Sequence, residues 1–146
     1  MKRNSQKINH FLAILGVYRE LRKLGQLTVF NVEPKYLPKS QGGAEPDIFL
    51  QYRNTNFFCE VQRTLYSPKQ LNEKLARYLT LYNSGVMSDP FPHVLILSAD
   101  RYNIESEYPF RIFQSTSFTD FVQSLKPQQK AQPVQPLESG IRIVLQ

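Results

Sequence analysis

The sequence predicts an α/β protein in which a mixed sheet is flanked by helices, in the order helix, three strands as an antiparallel meander, helix, strand. Three observations predict it. Residues 7–24 repeat apolar side chains at helical spacing, residues 47–64 hold two short alternating stretches joined by a polar turn, and residues 68–83 form a second amphipathic stretch that leads into an apolar run. A chain of 146 residues suits one domain that buries a core of two or three layers.

In KINHFLAILGVYRELRKL, residues 7–24, a step of about 100° per residue puts Phe11, Ile14, Val17, Tyr18, Leu21 and Leu24 on one arc. Arg19, Arg22 and Lys23 fall opposite it or at its margin. Asn4 or Ser5 suits the cap at the start, and Gly25 the stop. Glu20 lies at the edge of the arc, where it either points along the core surface toward a site or stays in solvent and pairs with Lys23. Thr28–Glu33, rich in β-branched and aromatic residues and closed by Pro34, is the first strand. Residues 36–46 combine Pro38, Gly42 and Gly43 with polar side chains and read as a flexible connection.

Asp47–Tyr52 and Phe57–Thr64 are the second and third strands, with Arg53–Asn56 turning between them. Ser67 and Pro68 supply an N-cap and a first-turn proline for a helix over 68–83, which repeats Leu71, Leu75, Tyr78, Leu79 and Tyr82 and ends near Gly85. His93–Ser98 suits a strand buried on both faces. His93, alone at its start, reads as structural. Residues 101–110 read as loop, Arg111–Gln114 as a short strand and Phe118–Leu125 as a short helix with Ser117 or Thr119 near its cap. The Gln- and Pro-rich residues 126–140 lack periodicity and read as extended and weakly ordered, and residues 141–146, with IRIVL, as a last strand.

Composition narrows the function classes. A hydrophobic fraction of 41% with 21% charged residues belongs to a globular protein, not a disordered one. No apolar run approaches the roughly 20 residues of a membrane span, and no signal core follows the N-terminus, so the expected location is cytoplasmic with no membrane partner. The lone Cys59, flanked by Phe58 and Glu60 in a strand pattern, reads as core and not as a nucleophile. A net charge of +6 favours polyanionic partners, nucleic acid above all.

Alternation along the third strand puts Phe58, Glu60 and Gln62 on one face and Cys59 and Val61 on the other. An acid within an apolar strand needs a partner, and a divalent metal would also account for Asp47 at the start of the neighbouring strand. The other reading is an edge strand with Glu60 in solvent. Lys69, Lys74 and Arg77 lie on or beside the exposed face of the following helix, where they either neutralise phosphates or form a solvated basic face.

Pro46-Asp47 followed by Glu60-Val61-Gln62, in this order of elements, resembles the PD-(D/E)XK nuclease superfamily. Residues 8–83, with EVQRT before a helix containing Lys and Tyr as the most specific part, look like the nuclease-like portion of replication-relaxation proteins of plasmids and conjugative elements. The sequence departs from them in starting directly at that portion, with no preceding winged-helix segment. The resemblance implies a restriction-endonuclease-like core over residues 1–125 and a DNA-processing, Mg2+- or Mn2+-dependent nuclease. Asp47 and Glu60 would be metal ligands, with Glu20 as a third. The superfamily's usual Lys is replaced by Gln62, which can orient water or a phosphate but brings no charge. Lys69 or Lys74 would then supply that charge as catalytic residues, and Lys69, Lys74 and Arg77 would contact DNA. Replication or mobilisation proteins are the further partners implied. The alternative is a catalytically inactive module that binds DNA or a replication protein, and a third is a host-directed interaction protein whose charge serves solubility.

Overall fold

Pairing of neighbouring strands, antiparallel on one side and parallel on the other, organises the chain. The computed structural model describes residues 2–131. Helix α1 (Lys2–Leu24) is followed by strands β1 (Leu27–Val32), β2 (Ile48–Tyr52) and β3 (Thr55–Val61), helix α2 (Pro68–Ser84), strands β4 (His93–Leu97) and β5 (Ile112–Ser115), and helix α3 (Phe118–Ala131). The five strands lie in sequence order, β1, β2 and β3 antiparallel and β3, β4 and β5 parallel. This is an α/β protein with a five-stranded mixed sheet flanked by helices.

Local chemistry explains the joints. Arg53 and Asn54 both have positive φ, 51° and 61°, which makes the two-residue turn whose twist suits a hairpin. The turn closes earlier than the expected Arg53–Asn56, so Thr55 and Asn56 pair with Tyr52 and Gln51 inside the ladder. Ser67 caps α2 in a reciprocal capping box with Gln70, and Gly85 ends the helix at φ 74°. Asn4 and Ser5, by contrast, lie inside α1 and do not cap it.

Alternation sorts the strand residues onto two faces. On one, Ile14, Val17 and Leu21 of α1 and Phe118, Phe121 and Val122 of α3 cover Ile48, Leu50, Cys59 and Leu95. On the other, Leu71, Leu75, Tyr78 and Leu81 of α2 cover Phe58, Val94 and Ile96. The irregular crossover between β4 and β5 packs on the α2 side through Tyr102, Ile104, Tyr108 and Phe110. Residues 36–46, expected to be flexible, are anchored there as well. Tyr36 and Leu37 pack against this core, Ala44 is buried in it, and the Ala44 N–H donates to the Arg77 carbonyl at 3.1 Å.

Two expectations are corrected. Helix α3 runs on through Pro127 to Ala131, beyond the expected end at Leu125, so residues 126–131 are helical. Residues 132–140 and the expected strand over 141–146 lie outside the described residues. Phe11, placed on the core arc of α1, is 51% exposed. A helix of 23 residues spans about 34 Å, whereas strands of 5–7 residues reach roughly 17–24 Å. Helix α1 therefore outruns the sheet it covers. No helix among the described residues is long and apolar enough to cross a membrane.

Candidate functional site

The register of β2 and β3 brings the two expected acids together. Ile48 pairs with Cys59, which leaves Asp47 and Glu60 side by side at the end of the sheet. Alternation turns Glu60 toward α2, where it is only 3% exposed. The Lys74 ammonium donates to Glu60 Oε1 at 2.7 Å, and the Tyr78 hydroxyl donates to Oε2. Leu71, Leu75 and Tyr78 bury one stripe of α2, and Lys74, one position before Leu75, borders it with its ammonium over the Tyr66 ring at 5.6 Å.

Burial and the nearby Asp47 carboxylate push the Glu60 acid up, against the opposing pull of Lys74 and Tyr78. Burial pulls the Lys74 ammonium down, but the charge and hydrogen bond of Glu60 outweigh it and leave Lys74 above its ordinary value. One shift disfavours the charged pair and the other favours it. The 2.7 Å contact and the partial exposure of Lys74 decide for the ion pair. Burial, with the Glu60 charge, holds the Tyr78 phenol well above its ordinary range, so it stays a donor. Lys74 and Tyr78 engage both oxygens of Glu60, and Asp47 adds a second acid whose charge acts on it.

Gln62 lies just past β3 on the same face, its N–H donating to the Leu97 carbonyl at 3.0 Å. Its side-chain Oε1 accepts from the Tyr102 hydroxyl at 2.8 Å, and that hydroxyl also accepts from the Tyr66 N–H at 2.9 Å. The Gln114 amide of β5 clamps Tyr102 through two bonds, accepting from its N–H at 2.7 Å and donating to its carbonyl at 2.8 Å. Gln62 Nε2 is buried without a hydrogen-bond partner among the described residues.

Asp47 faces a second group of residues. Its Oδ2 accepts from the Val61 N–H at 2.8 Å, and its Oδ1 lies 3.1 Å from His10 Nε2. Glu33, the residue after β1, donates its N–H to the Asp47 carbonyl at 2.8 Å. The ligand atoms of His10, Glu33 and Asp47 all lie within 4.8 Å of one another. Neither His10 nor Glu33 is singled out by the sequence reading. Two signals point to them. His10 is one helical turn before the core residue Ile14, on the stretch of α1 that outruns the sheet, and Glu33 follows the strand that pairs with β2.

The other expected residues separate. Arg77 lines a small concavity of about 110 Å³ with Glu45, Glu60 and Lys74, whereas Lys69 is exposed in the first turn of α2. Glu20 is not brought to the acid pair. Its carboxylate caps α3, accepting from the N–H groups of Phe118 at 3.3 Å and Thr119 at 2.9 Å, because α1 packs beside the start of that helix. Ser117 accepts from the next one, Asp120, at 3.0 Å. Cys59 is fully buried, and burial, then Glu60 and Asp47, hold its thiol well above the usual range, as suits a core side chain. His93 packs between the rings of Phe57 and Phe113.

Comparisons of the chain with protein-family models, curated proteins and solved structures give no match.

Proposed function

We propose that the chain is a DNA-processing protein with a PD-(D/E)XK-type, restriction-endonuclease-like core, acting in the cytoplasm on a plasmid or other mobile element. Its reaction is phosphodiester hydrolysis or nicking linked to replication or relaxation. The observation that carries this reading is Lys74. Its ammonium reaches the Asp47–Glu60 pair from α2 and brings the charge that Gln62 does not.

Asp47 and Glu60 would hold a Mg2+ or Mn2+ ion, which when bound polarises a phosphodiester oxygen and acidifies a water. Lys74 keeps a positive charge at the place where negative charge develops on a phosphate. Tyr102, fixed by Gln114, holds Gln62 by its oxygen, and the buried Nε2 is left to orient a water. Arg77, on the rim of the same concavity, and the exposed Lys69 are the phosphate contacts. Replication or mobilisation proteins are the protein partners this reading implies.

The test is nicking of supercoiled plasmid DNA by the purified chain with Mg2+ or Mn2+ and with a chelator. Metal-dependent nicking that is lost in Asp47→Asn and Lys74→Met supports the reading, and no nicking under any metal condition overturns the enzymatic part of it. One observation favours the second reading, a catalytically inactive module that binds DNA. Both oxygens of Glu60 are taken up by Lys74 and Tyr78. Salt-sensitive DNA affinity that is unchanged in Asp47→Ala and Glu60→Ala, without nicking, selects that reading.

A further inference from the structure

We propose that His10, Glu33 and Asp47 form a second cation site, on the α1 side of Asp47, that takes a transition-metal ion of the Zn2+ or Mn2+ type in preference to Mg2+. The inference goes beyond the function proposed above, in which the ion lies between Asp47 and Glu60.

Three separate elements converge on the site. Helix α1 overhangs the sheet and brings His10, Glu33 is the residue after β1, and Asp47 is the residue before β2. Two donors of one tetrahedral ion at about 2.1 Å lie roughly 3.4 Å apart. His10 Nε2 and Asp47 Oδ1, hydrogen-bonded at 3.1 Å, would open by a few tenths of an ångström to take an ion, and the Glu33 carboxylate would close in from within 4.8 Å.

The ligands are held from behind. The Val61 N–H fixes the second Asp47 oxygen, the kind of outer contact that aims a ligating carboxylate. Glu33 is held at φ 50°, a region that residues with a side chain rarely adopt, with its N–H bonded to the Asp47 carbonyl. Asp47 pairs with His10, and the Glu33 carboxylate stands within 4.8 Å of that pair without bonding the imidazole. A cavity of about 260 Å³ lined by Lys7, His10, Phe11, Ile14 and Glu33 opens beside the group, leaving room for further ligands of the ion. Lys7 makes that space suited to an anion.

The donor set decides the class of ion. Imidazole suits zinc, manganese and their neighbours, whereas Mg2+ prefers an all-oxygen octahedral shell rich in water.

The test is calorimetric titration of the full chain with Zn2+, Mn2+ and Mg2+, on wild type and on His10→Ala, Glu33→Gln and Glu60→Gln, with circular dichroism to show that each variant folds. The expected result is one Zn2+ per chain, with Mg2+ much weaker. His10→Ala and Glu33→Gln each weaken Zn2+ by about tenfold or more, while Glu60→Gln changes it by less than about threefold. Absence of Zn2+ and Mn2+ binding, or undiminished affinity in both His10→Ala and Glu33→Gln, overturns the proposal. So does a loss in Glu60→Gln as large as in His10→Ala, which would put the ion on the Asp47–Glu60 pair. A chain that binds Zn2+ through His10 but never nicks DNA keeps this site while the nuclease reading fails. The reverse outcome, Mg2+-dependent nicking with no effect of His10 or Glu33 on Zn2+ binding, separates the two in the other direction.

Discussion

Replacing Lys74 by Met keeps the length of the side chain and removes the ammonium from a carboxylate whose side chain is 4% exposed. Glu60 is left with Tyr78 as its one side-chain donor, beside the like charge of Asp47. Breaking a fully buried pair on one side costs about 3–5 kcal/mol. Two features reduce that here. The Lys74 side chain is 33% exposed, so water reaches its place, and Glu60 can escape the penalty by taking up a proton. The expected loss at pH 7 is therefore about 2 kcal/mol, or on the order of 8 °C in Tm. Far-UV circular dichroism in urea is the assay, since the chain has no tryptophan.

The pH dependence checks the cause. With Lys74 gone, the folded Glu60 acid sits further above its unfolded value, so the folded state binds more protons between the two. The variant then loses stability as pH rises through that window and regains it as pH falls. The penalty should at least halve between pH 7 and pH 5. Adding Glu60→Gln to Lys74→Met should recover most of the loss at pH 7, because a neutral amide still accepts from Tyr78. A penalty below about 0.5 kcal/mol at pH 7, or one that does not shrink at pH 5, would refute the buried, charged pair on which the site is built.

Glu20→Ala leaves the first two N–H groups of α3 without their carboxylate and should cost about 1–2 kcal/mol in urea unfolding, with no change in metal or DNA affinity. Tyr52→Phe removes a buried hydroxyl with no partner among the described residues, and should be neutral or raise stability by up to about 1 kcal/mol. His93 is held below its ordinary value by burial and then by Arg111. As pH falls through the unfolded value of 6.5, the unfolded chain binds the proton first, so stability declines toward the lower folded value. His93→Gln should flatten the dependence of Tm on pH between about 7 and 5.

Much of the architecture was legible from local chemistry. The hairpin at Arg53 and Asn54, the Ser67 cap, the Gly85 stop and the amphipathic stripe of α2 are decided within a few residues, by turn geometry and by side-chain periodicity. The register that sets Asp47 opposite Glu60 was not legible, since a turn over Arg53–Asn56 would pair Tyr52 with Phe57 and Asp47 with Gln62, and only the tighter turn at Arg53 and Asn54 shifts the ladder by two residues. Nor was the end of α3, since the Gln- and Pro-rich stretch after Leu125 lacks apolar periodicity and yet the helix continues through Pro127 to Ala131.

What the sequence alone determined about this protein is the α/β order of helices and strands and the existence of the hairpin between residues 47 and 64, because both follow from patterns of two to four residues. Only the tertiary structure decided which distant side chains meet its acids. Lys74 and not Lys69 reaches Glu60, Glu20 turns away to cap α3, and His10 comes to Asp47 because α1 is longer than the sheet beneath it. Each of these depends on how one element is rotated and translated against another. That docking is set by the packing of whole faces, which no short stretch of sequence contains.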